Sequence, residues 1–122
     1  MQIYKCKKCG TIVEEIKLGG CHPSCCGEAM TLMNALTTDG AREKHVPSYV
    51  VEGNKVSVQV GEVEHPMIAV HYIEWIAIET NKGIQRKCLN PEEAPKAEFL
   101  MVEGEELVAV YAYCNLHGLW IA

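Results

Sequence analysis

From residue 37 onward, apolar and polar positions alternate or gather in short runs that turn residues interrupt. Lys55-Val-Ser-Val-Gln-Val60 repeats with a period of two, the pattern of a strand that buries one face. Residues Ser48–Val51, Ala69–Glu79, Ile84–Leu89, Ala97–Val102 and Glu106–Cys114 form further alternating or apolar runs. Between the runs stand Glu52-Gly-Asn54, Gly61, Asn81-Lys-Gly83, Asn90-Pro91 and Glu103-Gly104. This is turn chemistry at roughly the 8–12-residue spacing of a β-sandwich. No amphipathic helix of ordinary length is found, and Pro91 and Pro95 bracket only a short turn or helical connection at Glu92–Ala94. The pattern predicts an all-β half, a seven-strand immunoglobulin-like sandwich.

The first 36 residues read differently. Gln2–Lys5 and Thr11–Val13 are short strand candidates separated by Cys6-Lys-Lys-Cys9-Gly10 and followed by Gly19-Gly20. Below about 40 residues an apolar core is too small to stand alone, so a metal is expected to hold this segment together. The expected domains are 1–36 and 37–122, with the boundary near residues 36–40.

Composition narrows the function. The chain has 122 residues, and no apolar run approaches the roughly 20 residues needed to span a bilayer. Met1-Gln-Ile-Tyr-Lys5 lacks an apolar signal core, so a soluble cytoplasmic protein is expected. A net charge of −5 with scattered lysines and arginines opposes nucleic-acid binding. With no export signal and five of the seven cysteines within the first 26 residues, metal ligation is favoured over disulfides.

Cys6-x2-Cys9 followed by Cys25-Cys26 is a four-thiolate pattern, with Gly10 allowing a tight turn around a metal. Adjacent cysteines pair poorly with each other but can both reach one tetrahedral ion. Thiolate ligation suits iron or structural zinc about equally. Cys21 could replace Cys25, and His22 beside it would allow a site of three cysteines and one histidine.

Four of the five histidines, His45, His65, His71 and His117, fall in the β-rich half together with Cys114. Any one of them alone is more often a surface or hydrogen-bonded core residue than a ligand. Their contexts change the balance. Val46-Pro47 follows His45 and Pro66 follows His65, which stiffens both segments. The strand Ala69–Glu79 would carry His71 on one face with Ile73, Trp75 and Ala77, and Cys114 would end a strand carrying Val108, Val110 and Ala112. Ligands at the strand ends could then converge at the rim of the sandwich. Five nitrogen and sulfur donors exceed a structural zinc site, and five-coordination leaves one position for a substrate.

Glu43-Lys44-His45-Val46-Pro47, His65-Pro66-Met67, His71-Tyr-Ile-Glu-Trp75-Ile76 and Cys114-Asn-Leu-His117-Gly118 together resemble the catalytic domain of superoxide reductases. Tyr4-Lys-Cys6-Lys-Lys-Cys9-Gly10 and Cys25-Cys26-Gly27-Glu28 resemble the desulforedoxin-like domain of the two-iron members, the desulfoferrodoxins. The resemblance covers nearly the whole chain. It implies a homodimer, a catalytic iron held by His45, His65, His71 and His117 with Cys114 as axial ligand, and a rubredoxin-like iron held by Cys6, Cys9, Cys25 and Cys26. Cys21, His22 and Cys88 match no family ligand; Cys21 and His22 are expected in a surface loop and Cys88 packed in a strand.

The implied reaction is one-electron reduction of superoxide to hydrogen peroxide, with rubredoxin or a similar carrier restoring the ferrous iron. The Cys114 thiolate would donate electron density to the metal. Lys44, aided by Arg42, would attract the anion, and Glu43 would occupy the vacant position of the ferric form. For a lysine or glutamate in isolation, a solvated side chain or a loop ion pair is the commoner role. The competing classes are a cupredoxin-like electron carrier, opposed by the four histidines and by the lack of a methionine after His117, and a structural protein with two zinc sites. A dismutase differs from a reductase through metal potential, which ligand identity alone does not set.

Overall fold

A computed structural model describes residues 1–37 and 45–122. The chain forms two units, Met1–Asn34 and Ala35–Ala122.

The first unit is made of short strands: β1 (Ile3–Lys5), β2 (Ile12–Glu14), β3 (Ser24–Cys25), β4 (Glu28–Ala29) and β5 (Thr31–Leu32). β1 lies between β2 and β5 in an antiparallel sheet, and β3 pairs with β4 as a hairpin. Ile3 is buried, and Tyr4, Cys6 and Met30 form a buried cluster with Val13 and Cys25 packed against them. Two of these six residues are thiols, so apolar burial supplies little of what so small a unit needs.

Among the described residues, the second unit has seven strands: β6 (Pro47–Glu52), β7 (Lys55–Val60), β8 (Ile73–Thr80), β9 (Gly83–Cys88), β10 (Lys96–Leu100), β11 (Leu107–Cys114) and β12 (Gly118–Ile121). They make two antiparallel sheets, ordered β10-β7-β6 and β12-β11-β8-β9. The alternation in β7 does what its sequence requires: Val56, Val58 and Val60 are buried, while the residues between them reach outward. They pack with Ala97, Phe99 and Met101 against Ile73, Ile76, Ile78, Val110, Ala112 and Cys114 of the facing sheet. The all-β sandwich expected from the sequence is present. No helix of the described residues is long and apolar enough to cross a membrane.

Four expectations change. Val108 is 63% exposed, because the ladder slips between Leu107 and Ala109, so it does not share the buried face of Val110 and Ala112. β8 begins at Ile73, not Ala69, so His71 precedes the strand; it is held instead in an isolated bridge with Ile68. Val70 is apolar yet 71% exposed, so that part of the run reflects a loop rather than a buried face. Ile73 does not share a face with Trp75 and Ala77. Pairing steps from Tyr113↔Trp75 to Cys114↔Ile73, so Glu74 is an extra residue in the ladder and Ile73 joins Ile76 and Ile78 in the core. Finally, Cys88 does lie in a strand, but it is exposed at the end of β9 rather than packed.

Candidate metal centres

The first centre is assembled by two tight turns. Gly10, at φ +79°, closes the loop in which its amide donates to the Cys6 carbonyl at 3.0 Å, while the Cys6 amide donates to the Thr11 carbonyl at 2.8 Å. In the β3–β4 hairpin, Cys26 and Gly27 are both left-handed, at φ +52° and +77°. Two consecutive left-handed residues make the turn that reverses a two-residue hairpin, and here they also bring the adjacent thiols Cys25 and Cys26 to one point. One sulfur from each of Cys6, Cys9, Cys25 and Cys26 falls within 4.8 Å of all the others.

Those separations fit a metal. Cys9 and Cys25 Sγ are 3.6 Å apart, and Cys25 and Cys26 Sγ are 3.8 Å apart. A tetrahedral ion with bonds of about 2.3 Å to sulfur has edges of roughly 3.8 Å. The Thr11 hydroxyl lies 3.1 Å from Cys9 Sγ. Hydrogen bonds from the Thr11 hydroxyl and amide hold the Cys9 thiol down at about 6, while sharing protons with Cys9 and Cys6 pushes Cys25 up to about 12. Negative charge therefore gathers at Cys9 before any metal binds. Cys21 falls outside this cluster and is exposed, as is His22, whose Nδ1 is 3.1 Å from the Tyr4 hydroxyl.

The second centre is a square of imidazoles. Ring centroids are separated by 4.8 Å for His45–His65, 4.6 Å for His65–His71, 4.9 Å for His71–His117 and 4.6 Å for His117–His45. Each neighbouring pair is close to perpendicular, and the His45–His71 diagonal is 6.4 Å. His45 Nε2 and His117 Nδ1 are 2.9 Å apart. Four nitrogens at ~2.1 Å from one ion would form a square with edges of about 3.0 Å. Cys114 Sγ, 3.7 Å from His117 Nδ1, supplies the fifth donor, and all five donor atoms lie within 4.8 Å of one another.

Each donor has a local reason for its place. Cys114 ends β11 on the face of Val110 and Ala112, so its thiol enters the site from the fully buried core. Burial pushes its pKa up, opposed by the backbone amides of His117 and Leu116, which favour the thiolate. Gly118, at φ +86°, turns the chain immediately after His117 so that β12 can return beside β11. His45 stacks on Trp120 of β12, with centroids 4.7 Å apart and 24° between planes. His65 Nδ1 lies 2.6 Å from the Pro66 carbonyl and donates to it, which leaves Nε2 as the lone-pair nitrogen. That Nε2 is buried with no hydrogen-bond partner among the described residues, and burial lowers the His65 pKa to about 4. A neutral, buried, unsatisfied imidazole nitrogen is what a metal ligand looks like without its ion. The donor sets thus fit a four-thiolate ion and a five-coordinate ion. Glu43, Lys44 and Arg42 lie outside the described residues.

A β-sandwich with a square of four imidazoles and one thiol, in a chain that also holds a four-thiolate centre, defines a class of non-haem iron protein with two mononuclear sites. The desulfoferrodoxin family model matches residues 37–122, and the model of the desulfoferrodoxin N-terminal domain matches residues 1–33. The chain belongs to the desulfoferrodoxin family. It is 51% identical over 120 residues to a desulfoferrodoxin homolog of Archaeoglobus fulgidus, covering 98% of this chain and 94% of that protein. It is 48% identical over 121 residues to the desulfoferrodoxin of Nitratidesulfovibrio vulgaris, covering 99% and 94%. The structure of a superoxide reductase from Treponema pallidum superposes with a TM-score of 0.84 at 33% identity, covering 99% of this chain and 96% of that one.

Proposed function

We propose that this protein is a superoxide reductase in which His45, His65, His71, His117 and Cys114 hold the catalytic iron, and Cys6, Cys9, Cys25 and Cys26 hold a second iron. The observation that carries the reading is the imidazole square with one buried thiol, because five protein donors leave one position for a small ligand. When bound, a ferrous ion at this site supplies the single electron that superoxide needs.

The chain's own residues do the rest. The near-perpendicular rings fix the four donor nitrogens in advance, so little rearrangement accompanies the change of metal charge. The Cys114 thiolate raises electron density on the side of the buried core, and the Leu116 and His117 amides limit how much it donates. Lys44, next to the ligand His45, attracts the superoxide anion and offers a proton through its ammonium group or a bound water. When iron is held by the five donors, Glu43 would offer it a carboxylate. A small one-electron carrier such as rubredoxin resets the site. The working form is a cytoplasmic homodimer, which sedimentation analysis would test.

The deciding experiment mixes anaerobically reduced, iron-loaded protein with a known amount of superoxide and measures peroxide and dioxygen. A reductase gives about one peroxide and one oxidised catalytic iron for each superoxide, with no dioxygen. Dioxygen at half the superoxide consumed would make it a dismutase. An absence of reaction would leave a structural or electron-transfer site.

A further inference from the structure

We infer that Asn115 is a positioning residue for the catalytic metal: its amide clamps the backbone on both sides of His71 and so sets that ligand against Cys114 and His117. The inference rests on the assignment of His71 as a ligand.

His71 is the ligand with least help from regular structure. It lies in the loop before β8, where its backbone pairs with Ile68, the His71 amide donating at 2.9 Å and the Ile68 amide returning at 3.0 Å. Such a bridge fixes the loop internally but not relative to the chain that carries Cys114 and His117. Asn115, which lies between those two ligands in sequence, makes that connection. Its Oδ1 accepts from the Tyr72 amide at 3.0 Å, and its Nδ2 donates to the Val70 carbonyl at 3.1 Å. Its own amide donates to the Tyr72 carbonyl at 3.2 Å. The residues before and after His71 are thus gripped by one side chain, whose neighbour Cys114 is a donor.

The chemistry is specific to a short primary amide. One end must accept and the other donate, across a gap that fixes both polarities. An aspartate in the same place keeps the acceptor for Tyr72 but turns a second carboxylate oxygen toward the Val70 carbonyl, so that contact becomes repulsive. Alanine removes both contacts. Neither change removes one of the five donor atoms or alters the four-thiolate centre; both also alter the 3.9 Å contact of Asn115 Oδ1 with Cys114 Sγ, so metal affinity rather than the thiolate band reads the grip on His71.

The test is anaerobic titration of metal-free full-length protein with ferrous iron, and in parallel with cobalt(II), for the wild type, Asn115→Ala and Asn115→Asp. Affinity and the thiolate-to-metal absorption bands are followed for each centre. Outer partners of metal ligands typically contribute 10–100-fold in affinity. The expected result is a loss of that size at the imidazole-square site of Asn115→Ala, with a shifted thiolate band. Asn115→Asp should fall between Asn115→Ala and the wild type, with the four-thiolate centre unchanged in every variant. Unchanged affinity in both variants would overturn the inference, even if the melting temperature fell, since a mere fold staple would do only that. A wild type that binds a single metal would overturn the site assignment itself, and the inference with it. Should Asn115→Ala fail to fold, the aspartate variant carries the same comparison.

Discussion

His45 Nε2 and His117 Nδ1 stand 2.9 Å apart although 72 residues separate them in sequence. Two unprotonated imidazole nitrogens do not approach this closely without a shared proton or a shared cation. Replacing His117 with alanine should therefore empty the imidazole-square site while leaving the thiolate centre intact. Iron analysis should fall from two to one per chain, and the bands of the four-thiolate site should persist.

Acid should attack the second centre through His65. In the unfolded chain this histidine titrates near 6.5, and burial lowers it to about 4 in the fold. Between those values the unfolded state binds the extra proton, so stability is fully present above about pH 6.5 and is lost as pH falls toward 4. Urea unfolding of the metal-free protein should show its midpoint falling across this window. His65→Gln should flatten that slope. The same protons compete with iron, so metal release should track the same range.

Thiol reactivity should be ordered within the first centre. With Cys9 held at about 6 and Cys25 pushed up to about 12, alkylation of metal-free protein at neutral pH should modify Cys9 well before Cys25. Removing the Thr11 hydroxyl by Thr11→Val should slow modification of Cys9, and peptide mass spectrometry would read both rates. Equal rates at Cys9 and Cys25 would contradict the arrangement.

Gly118 tests whether backbone conformation alone matters after His117. A methyl group added there would meet nothing within 4 Å, yet its φ of +86° disfavours any side chain. Gly118→Ala should cost about 1–2 kcal/mol in chemical unfolding, with no steric contribution. By comparison, Ile76→Ala, in the fully buried core between the sheets, should cost about 2–5 kcal/mol.

Lys44 is predicted to govern capture of the anion. Lys44→Ala should slow the bimolecular reaction with superoxide and weaken its salt dependence, with iron content unchanged. Stopped-flow rates across ionic strength would measure this.

Much of this was legible in residue order. Strand β7 announces its buried face through Val56, Val58 and Val60, and the family motifs carry both donor sets. What the sequence hid is tertiary. The apolar Ala69 and Val70 read as strand but form the loop before β8, because an exposed bridge to Ile68 satisfies their neighbourhood. β12 follows β11 after only three residues, too soon for periodicity to mark it. The Glu74 bulge that re-aims Ile73 depends on pairing with β11, and no local pattern encodes it. The contacts of Asn115 join loops 43 and 45 residues apart, so they too come only from the fold.

The sparse apolar cluster of Met1–Asn34 has a consequence for how the molecule ages. Cys6 and Cys25 serve that unit both as packing and as donors, whereas the twelve-residue cluster of Ala35–Ala122 includes only Cys114 among its ligands. Losing the thiolate-bound ion therefore loosens one unit, which opens more often though its turns still form, and leaves the other closed. A protease should then find its first cuts within residues 1–34, and scarcity of metal becomes visible as a trimmed chain that still holds the imidazole square.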